Sequence, residues 1–362
     1  LKAKERFGRE KRREPMKGTM RAIVKAKPEP GAEYRTDWPI PQIGPHDLLV
    51  KVKASAICGS DVHIWDWTAY AQARLKLPMS FGHEFCGEVV EMGERVEGFA
   101  IGDLVAGETH IPCGQCYQCR TGLQHICQDM KILGIHTQGA FADYMAMPAV
   151  CAWKLPRDFN PELGAVLEPI GVGTHGALVG PVGARTVAVL GCGPIGCFAI
   201  GVVKACGALK IYATDISDMR LEIARKMGAT VTYNPEKVDV AAEILEDTKG
   251  CGVDVVLDVS GAPSAIKTGV KIVRKAGRFT FVGIPEEPVS LDVPNEFIYK
   301  ETEVKGITGR VMWETWYQVT NLLSSGLLKV DPVITHRYSL EQYREAFENV
   351  KHKRGGKVLF IH

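Results

Sequence analysis

The sequence predicts an α/β protein in which a doubly wound parallel-sheet domain is inserted into an irregular β domain of barrel type. Three observations predict it. From Met20 to about Pro169, short apolar segments such as RAIVKAKP, DLLVKVKASAIC, HEFCGEVVEMG and GDLVAGE are broken by Gly and Pro at short spacing, as in an irregular barrel. From about Gly171, apolar runs (TVAVLG, KIYATD, VDVVLDVSG, FTFVG) alternate with helical stretches (PIGCFAIGVVKACGA, MRLEIARKMGA, SAIKTGVKIVRKAGR), the pattern of a parallel sheet covered on both faces. The chain then ends on WETWYQVTNLLSSG and LEQYREAFENVKHKRGGKVLFIH, helices followed by an apolar strand of the kind that completes a sheet begun earlier. The expected organisation is a basic extension over residues 1–19, a discontinuous β domain over 20–170 and 316–362, and a nucleotide domain over 171–315.

Composition agrees with two domains. The chain has 362 residues, about twice the usual domain length. Its 46% apolar and 24% charged residues can bury a large core. No apolar run is long enough to span a bilayer and no secretory h-region opens the chain, so the cytosol is the expected compartment and no membrane partner is expected. The net charge of +2 is unevenly placed: residues 1–19 carry eight Lys/Arg and three Glu, which leaves −3 for the rest. A mildly acidic body argues against nucleic acid as a partner, and the basic segment reads as a solvated extension or a weak anion-binding arm.

Eleven cysteines suit a metal protein better than a disulfide scaffold, which would be shorter and denser in Cys. Cys113, Cys116 and Cys119 recur at intervals of three and Cys127 follows eight residues later. Four thiolates close a tetrahedral Zn²⁺ shell with no open position, the mark of a structural site. An iron-sulfur cluster uses the same ligand type, but this spacing is not the usual ferredoxin run. Cys86, Cys151, Cys192, Cys197, Cys206 and Cys251 read as core filler.

A second group of ligand types lies upstream: Cys58 in AICGSDVHIW, and His83 with Glu84 in FGHEFCGEVV. A catalytic zinc needs three protein ligands and one exchangeable position. Alone, Cys58 reads equally as a small buried hydrophobe; Gly59 and Gly82, which flank the two motifs, let the backbone pass close to a metal or cofactor. Glu168, in AVLEPIGVG at the domain junction, is on spacing alone a surface residue, a supporting group or a ligand. Ser60 and His63 can relay a proton to solvent, and Ser60 can equally cap a helix beginning near Asp61.

The string TVAVLGCGPIG runs an apolar strand into Gly191, Gly193, Ile195 and Gly196. The first Gly permits the tight turn, the second lets the backbone approach a pyrophosphate and the third lets the helix pack on the strand. Asp215 lies 19 residues beyond Gly196, at the end of the next apolar run, where a carboxylate accepts from ribose hydroxyls and repels a 2′-phosphate. NAD is therefore expected over NADP, although Arg220 nearby could receive that phosphate. Ser217 or Asp218 caps the following helix.

An open zinc site, a closed four-thiolate lobe and a downstream dinucleotide fold, in this order, resemble the zinc-dependent medium-chain alcohol dehydrogenases from Met20 to His362. The resemblance implies a GroES-like catalytic domain, a Rossmann domain, two Zn²⁺ per subunit (one catalytic, one structural), NAD and a homotetramer. It puts Cys58, His83, Glu84 and Glu168 at the catalytic zinc and Ser60 and His63 in the proton relay. CGSDVHIWDW at 58–67, GETHIPCGQCYQC at 107–119 and ITGRVMWETWY at 307–317 resemble the members that oxidise the secondary alcohol of L-threonine. Polyol and butanediol dehydrogenases share the metal and glycine motifs and differ in the last two strings. A non-enzymatic NAD-binding redox sensor would lack Cys58, His83 or the relay pair. Val172 stands where the family commonly has an amide near the cofactor. His110 and Arg310 are candidates to reach substrate or cofactor, Arg310 through the pyrophosphate; Glu168 is a candidate for the substrate ammonium.

Overall fold

The computed structural model describes residues 16–362. Most of the expected basic extension lies outside these residues, and its last part is integrated into the fold. The backbone N–H of Met16 donates to Glu91 at 2.8 Å, and Thr19 opens the strand Thr19–Lys25.

The β part is built around the strand Asp47–Ala56. One edge pairs with Glu84–Met92; the other is shared, Tyr144–Pro148 pairing with residues 47–51 and the chain-terminal strand Lys357–Ile361 with residues 54–56. Alternation along Asp47–Ala56 breaks down toward Ala56, where the residues are buried on both faces because a helix and an aromatic cluster cover them. Phe81, Phe141, Phe347 and Phe360 fill that cluster, all fully buried. The register matters for function. Ala56 stands opposite Glu84 on one side and Leu359 on the other, so Cys58, Glu84 and Lys357 are brought together from three distant parts of the chain.

The second part is a six-stranded parallel sheet in the spatial order Val231–Tyr233, Lys210–Thr214, Thr186–Leu190, Val253–Asp258, Val273–Phe281, Glu303–Gly306. The first strand in sequence, Thr186–Leu190, lies in the middle, and the chain winds outward from it in both directions. The C-terminal ends of Thr186–Leu190 and Val253–Asp258 therefore form the topological switch point, where ligands bind in open α/β sheets. The helices Pro194–Ala205 and Asp218–Met227 follow the first two strands; Ser217 caps the second by accepting from the N–H of Arg220, and Gly228, at φ +113°, ends it. The helix Leu167–Leu178 crosses the expected boundary at residue 170 and is buried along most of its length. It joins the two parts, packing on Pro194–Ala205 and on Glu314–Ser324.

Three local expectations are corrected. The stretch SAIKTGVKIVRKAGR is helical only as far as Ile272; Val273 begins a strand, because a bulge between Val273 and Arg278, with Ala276 at φ +53°, lets the chain turn directly into the sheet. The helix after Cys58 spans Gly59–Trp65 with Cys58 itself at the N-cap, so Ser60 lies inside the first turn and does not cap it. Among the cysteines read as filler, Cys251 is exposed and Cys206 half-buried, while the other four are buried. Among the described residues no helix is long and apolar enough to cross a membrane.

Candidate active site

Cys58, His83 and Glu84 place their donor atoms within 4.8 Å of one another. Cys58 lies two residues after the end of the strand that Glu84 pairs beside, and Gly82, at φ +93°, turns His83 into the same space. Two residues not foreseen from the sequence complete the surroundings. Asp61 is fully buried; one oxygen accepts from the Cys58 N–H at 2.8 Å and the other lies 3.6 Å from Nδ1 of His83. Lys357, also buried, donates to Glu84 Oε1 at 2.6 Å and to the carbonyl of Ile57 at 3.0 Å.

This set fits a divalent cation. Asp61 Oδ1, His83 Nδ1 and Glu84 Oε2 are buried without a hydrogen-bond partner, which is costly unless something else satisfies the group. Burial lowers the His83 pKa, but Asp61 and Cys58 outweigh it and push it up to about 10. Burial raises Glu84 to about 7 against the pull of Lys357. A dication among these groups relieves both conflicts, since it prefers a neutral imidazole and ionised carboxylate and thiolate. With Nδ1 facing Asp61, the other ring nitrogen is left as the donor.

Glu168 is not in the donor set. Its Oε1 accepts from Arg310 NH1 at 2.7 Å and from Thr109 Oγ1 at 3.4 Å. Arg310 is itself corrected: expected at the pyrophosphate or substrate, it is buried and bonded through Nε and NH2 to both oxygens of Glu108, at 2.9 and 2.5 Å. Trp316 Nε1 and His110 Nδ1 also donate to Glu108, at 2.8 and 2.7 Å. Burial pushes the Glu108 carboxyl up, yet Arg310 and His110 hold it well below the usual carboxylate range. His110 is thus tied into this cluster.

Ser60 and His63 lie one helical turn apart, Ser60 half-buried and His63 exposed, which suits a path from the interior to water. His63 Nδ1 is 3.4 Å from Thr68 Oγ1. No hydrogen bond joins Ser60 to His63 among the described residues, so a relay between them needs a bridging group.

The cysteine lobe closes as one tight loop. Cys113, Cys116, Cys119 and Cys127 hold their sulfurs within 4.8 Å of one another, and Cys116 Sγ lies 3.8 Å from Cys127 Sγ. That is the edge of a tetrahedron with Zn–S bonds of about 2.3 Å, and far beyond the roughly 2 Å of a disulfide. Backbone N–H groups of Cys113, Gln115 and Cys116 point at sulfur, as suits thiolates. Hydrogen bonds from the backbone of Gln128 and Cys119 pull the Cys116 thiol down, whereas burial pushes Cys119 and Cys127 up.

At the switch point the glycines differ in what they permit. Gly191 takes φ +98°, and a Cβ there would stand 2.9 Å from Ser260. At Gly196 a Cβ would strike the carbonyl oxygen of Gly191, whereas at Gly193 it would meet nothing within 4 Å. The chain thus needs glycine at 191 and 196 for its own packing, while the open space over Gly193, at the N-cap of Pro194–Ala205, is the cradle a phosphate would fill. Ile195 is half-buried in the first turn. Asp215 accepts from the N–H of Cys192 and of Ser217, both at 2.8 Å, which holds it beside the loop. Burial pushes the Cys192 and Cys197 thiols up, Arg220 opposes the rise from nearby, and the Arg220 Nε is buried without a partner. A cleft of about 460 Å³ lies between His125 of the lobe, His175 of the junction helix, and Val282, Ile284 and Thr308 at the ends of the parallel sheet.

Two family models match: alcohol dehydrogenase GroES-like domain over residues 44–157 and zinc-binding dehydrogenase over residues 194–325. The chain belongs to the zinc-dependent medium-chain alcohol dehydrogenase family, a class of NAD-dependent zinc enzymes. Among its relatives, the L-threonine 3-dehydrogenase of Pyrococcus abyssi is 46% identical over 347 residues, 96% of this chain and 99% of that protein. The L-threonine 3-dehydrogenase of Bacillus licheniformis is 44% identical over 96% of this chain and all of that protein. Of solved structures, 2R,3R-butanediol dehydrogenase from Bacillus subtilis superposes with a TM-score of 0.85 at 31% identity, covering 95% of this chain and 100% of that one. A zinc-binding dehydrogenase from Sinorhizobium meliloti bound to NADP gives 0.87 at 30% identity, over 95% and 99%.

Asp61, Lys357 and Glu108 are the residues that sequence reading passed over. Asp61 carried a signal, a carboxylate three residues after a ligand-type Cys. Lys357 carried one too, as the charged residue of an otherwise apolar strand, KVLFI.

Proposed function

We propose that this protein oxidises the secondary alcohol of L-threonine with NAD⁺, yielding 2-amino-3-oxobutanoate and NADH. The observation that carries alcohol oxidation is the convergence of half-buried Cys58 with buried His83 and Glu84, with unsatisfied polar atoms around them. The substrate assignment is supported by 46% identity to an L-threonine 3-dehydrogenase over nearly the whole chain, against 31% to a butanediol dehydrogenase.

In this reading Cys58, His83 and Glu84 hold a catalytic Zn²⁺, and Cys113, Cys116, Cys119 and Cys127 a structural one. A zinc ion in an open site supplies Lewis acidity that lowers the pKa of an alcohol. Asp61 keeps the His83 ring in one tautomer and orientation, and Lys357 favours the ionised form of Glu84 against the effect of burial. Ser60 accepts the hydroxyl proton as it passes its own to a bridging cofactor ribose, and His63, exposed on the same helix, receives it from the ribose and hands it to water. Gly191, Gly193 and Gly196 receive the pyrophosphate, and Asp215 holds the ribose hydroxyls and disfavours a 2′-phosphate. Assembly as a homotetramer is part of the proposal. It is supported by the open sheet edge at Glu303–Gly306, every residue of which is exposed, beside Ile298 and Tyr299, 62% and 71% exposed.

The test is a substrate panel of L-threonine, sorbitol and 2,3-butanediol with NAD⁺ and NADP⁺, alongside zinc analysis. The reading expects the highest kcat/KM with L-threonine and NAD⁺ and two zinc ions per chain. A preference for a polyol would overturn the substrate assignment.

A further inference from the structure

The cysteine lobe does more in this fold than close on itself. Its single turn Gln124–Ile126 runs directly into Cys127, whose N–H donates to the Gln124 carbonyl at 3.1 Å. The placement of His125 is therefore tied to the closure of the four sulfurs. The same turn puts His125 and Ile126 on the wall of the cleft of about 460 Å³, across from Val282, Ile284 and Thr308.

The two halves of the parallel sheet serve different ends of a dinucleotide, which lies across the crevice at the switch point. The Gly193 cradle and Asp215 follow Thr186–Leu190 and Lys210–Thr214, the half that takes pyrophosphate and adenosine. The cleft opens where the chain leaves Val273–Phe281 and Glu303–Gly306, in the other half. The end of the dinucleotide that reaches it is the nicotinamide, a flat ring carrying a carboxamide.

The cleft walls are mostly apolar, and two histidines break the pattern. Their rings meet edge to face, 5.5 Å apart at 85°. His175 is satisfied, since its Nδ1 donates to the Gly309 carbonyl at 3.0 Å. His125 is not: it is 7% exposed, and its Nδ1 is buried without a partner. The last torsion of a histidine has two comparable wells, so a half-turn of the ring carries that nitrogen to its other edge. A buried imidazole with an open nitrogen needs a hydrogen-bonding partner, and a carboxamide offers both a donor and an acceptor.

We propose that His125 hydrogen-bonds the nicotinamide carboxamide, which makes the cysteine lobe a wall of the cofactor site. The lobe then acts on the cofactor directly, because Cys127 fixes the turn that carries His125. The proposal rests on the NAD reading.

The test compares NAD⁺ with ADP-ribose, which lacks the nicotinamide, by calorimetric titration of the intact zinc-loaded protein, each variant being matched to the parent in zinc content. For His125→Leu the Kd for NAD⁺ should rise about five- to tenfold, the scale of one hydrogen bond, while the Kd for ADP-ribose stays unchanged. His125→Asn, which keeps a donor and an acceptor, should recover much of the loss. An unchanged NAD⁺ affinity in His125→Leu, an equal loss for both ligands, an equal loss in both variants, or a rise confined to the KM for L-threonine overturns the assignment. A protein that binds neither NAD⁺ nor ADP-ribose overturns the NAD reading itself, so the two failures are distinguishable.

Discussion

Asp61 turns one oxygen to the backbone N–H of Cys58, at 2.8 Å, and the other to the ring of His83, at 3.6 Å. One buried carboxylate thus sets the position of two donors, one following the strand Asp47–Ala56 and the other preceding Glu84–Met92. Replacing it by asparagine preserves shape and removes the charge that orients the ring. For Asp61→Asn we expect a loss of 10- to 100-fold in affinity for the open-site metal, measured by chelator competition, with the lobe zinc retained. Unaltered affinity would remove Asp61 from the site.

Lys357 and Glu84 form a buried pair with side chains 4% and 0% exposed. Breaking such a pair from one side leaves an uncompensated charge, so Lys357→Met in the metal-free protein should cost about 3–5 kcal/mol of stability. The double variant Lys357→Met/Glu84→Gln should recover much of it. Equal losses in both, by denaturant unfolding, would show that packing and not charge is what Lys357 supplies.

His63 is exposed and one turn from Ser60. His63→Ala should lower turnover with L-threonine by roughly 10²–10⁴ and move the pH profile. An unchanged rate and profile would take it out of the relay.

Asp215 fastens Cys192 and Ser217 through its oxygens, and in the proposed function its charge also disfavours a 2′-phosphate. Asp215→Asn keeps an acceptor and removes the charge, so KM for NADP⁺ should fall relative to that for NAD⁺, helped by Arg220. A ratio that does not move would leave Asp215 with the structural duty alone.

His362 gives a pH dependence through a group outside both donor sets. Its ring Nε2 meets Ser55 Oγ at 2.8 Å, and burial lowers its pKa from 6.5 to about 4. The unfolded chain therefore binds a proton that the native one refuses between those values. The stability contributed is present above about pH 6.5 and is lost as pH falls toward 4, with a slope of at most about 1.4 kcal/mol per pH unit. His362→Asn should flatten that part of the curve in unfolding measurements from pH 4 to 7.

What could be read from the chain alone is what local geometry dictates. The intervals among Cys113, Cys116, Cys119 and Cys127 force one loop around one ion, and a strand running into Gly191, Gly193 and Gly196 leaves few other backbones. Cys58 and His83 were recognisable as ligand types, though not as neighbours. That they meet was decided by strand register, Ala56 against Glu84. The fate of Glu168 and Arg310 was decided only in three dimensions. Arg310 lies 202 residues from Glu108, and no periodicity or spacing encodes a contact at that range. Burial is the physical reason for the difference. Once an arginine is shut away from water it must be paired inside the protein, and which carboxylates face it depends on how the helix carrying Glu168 packs across the two halves of the chain.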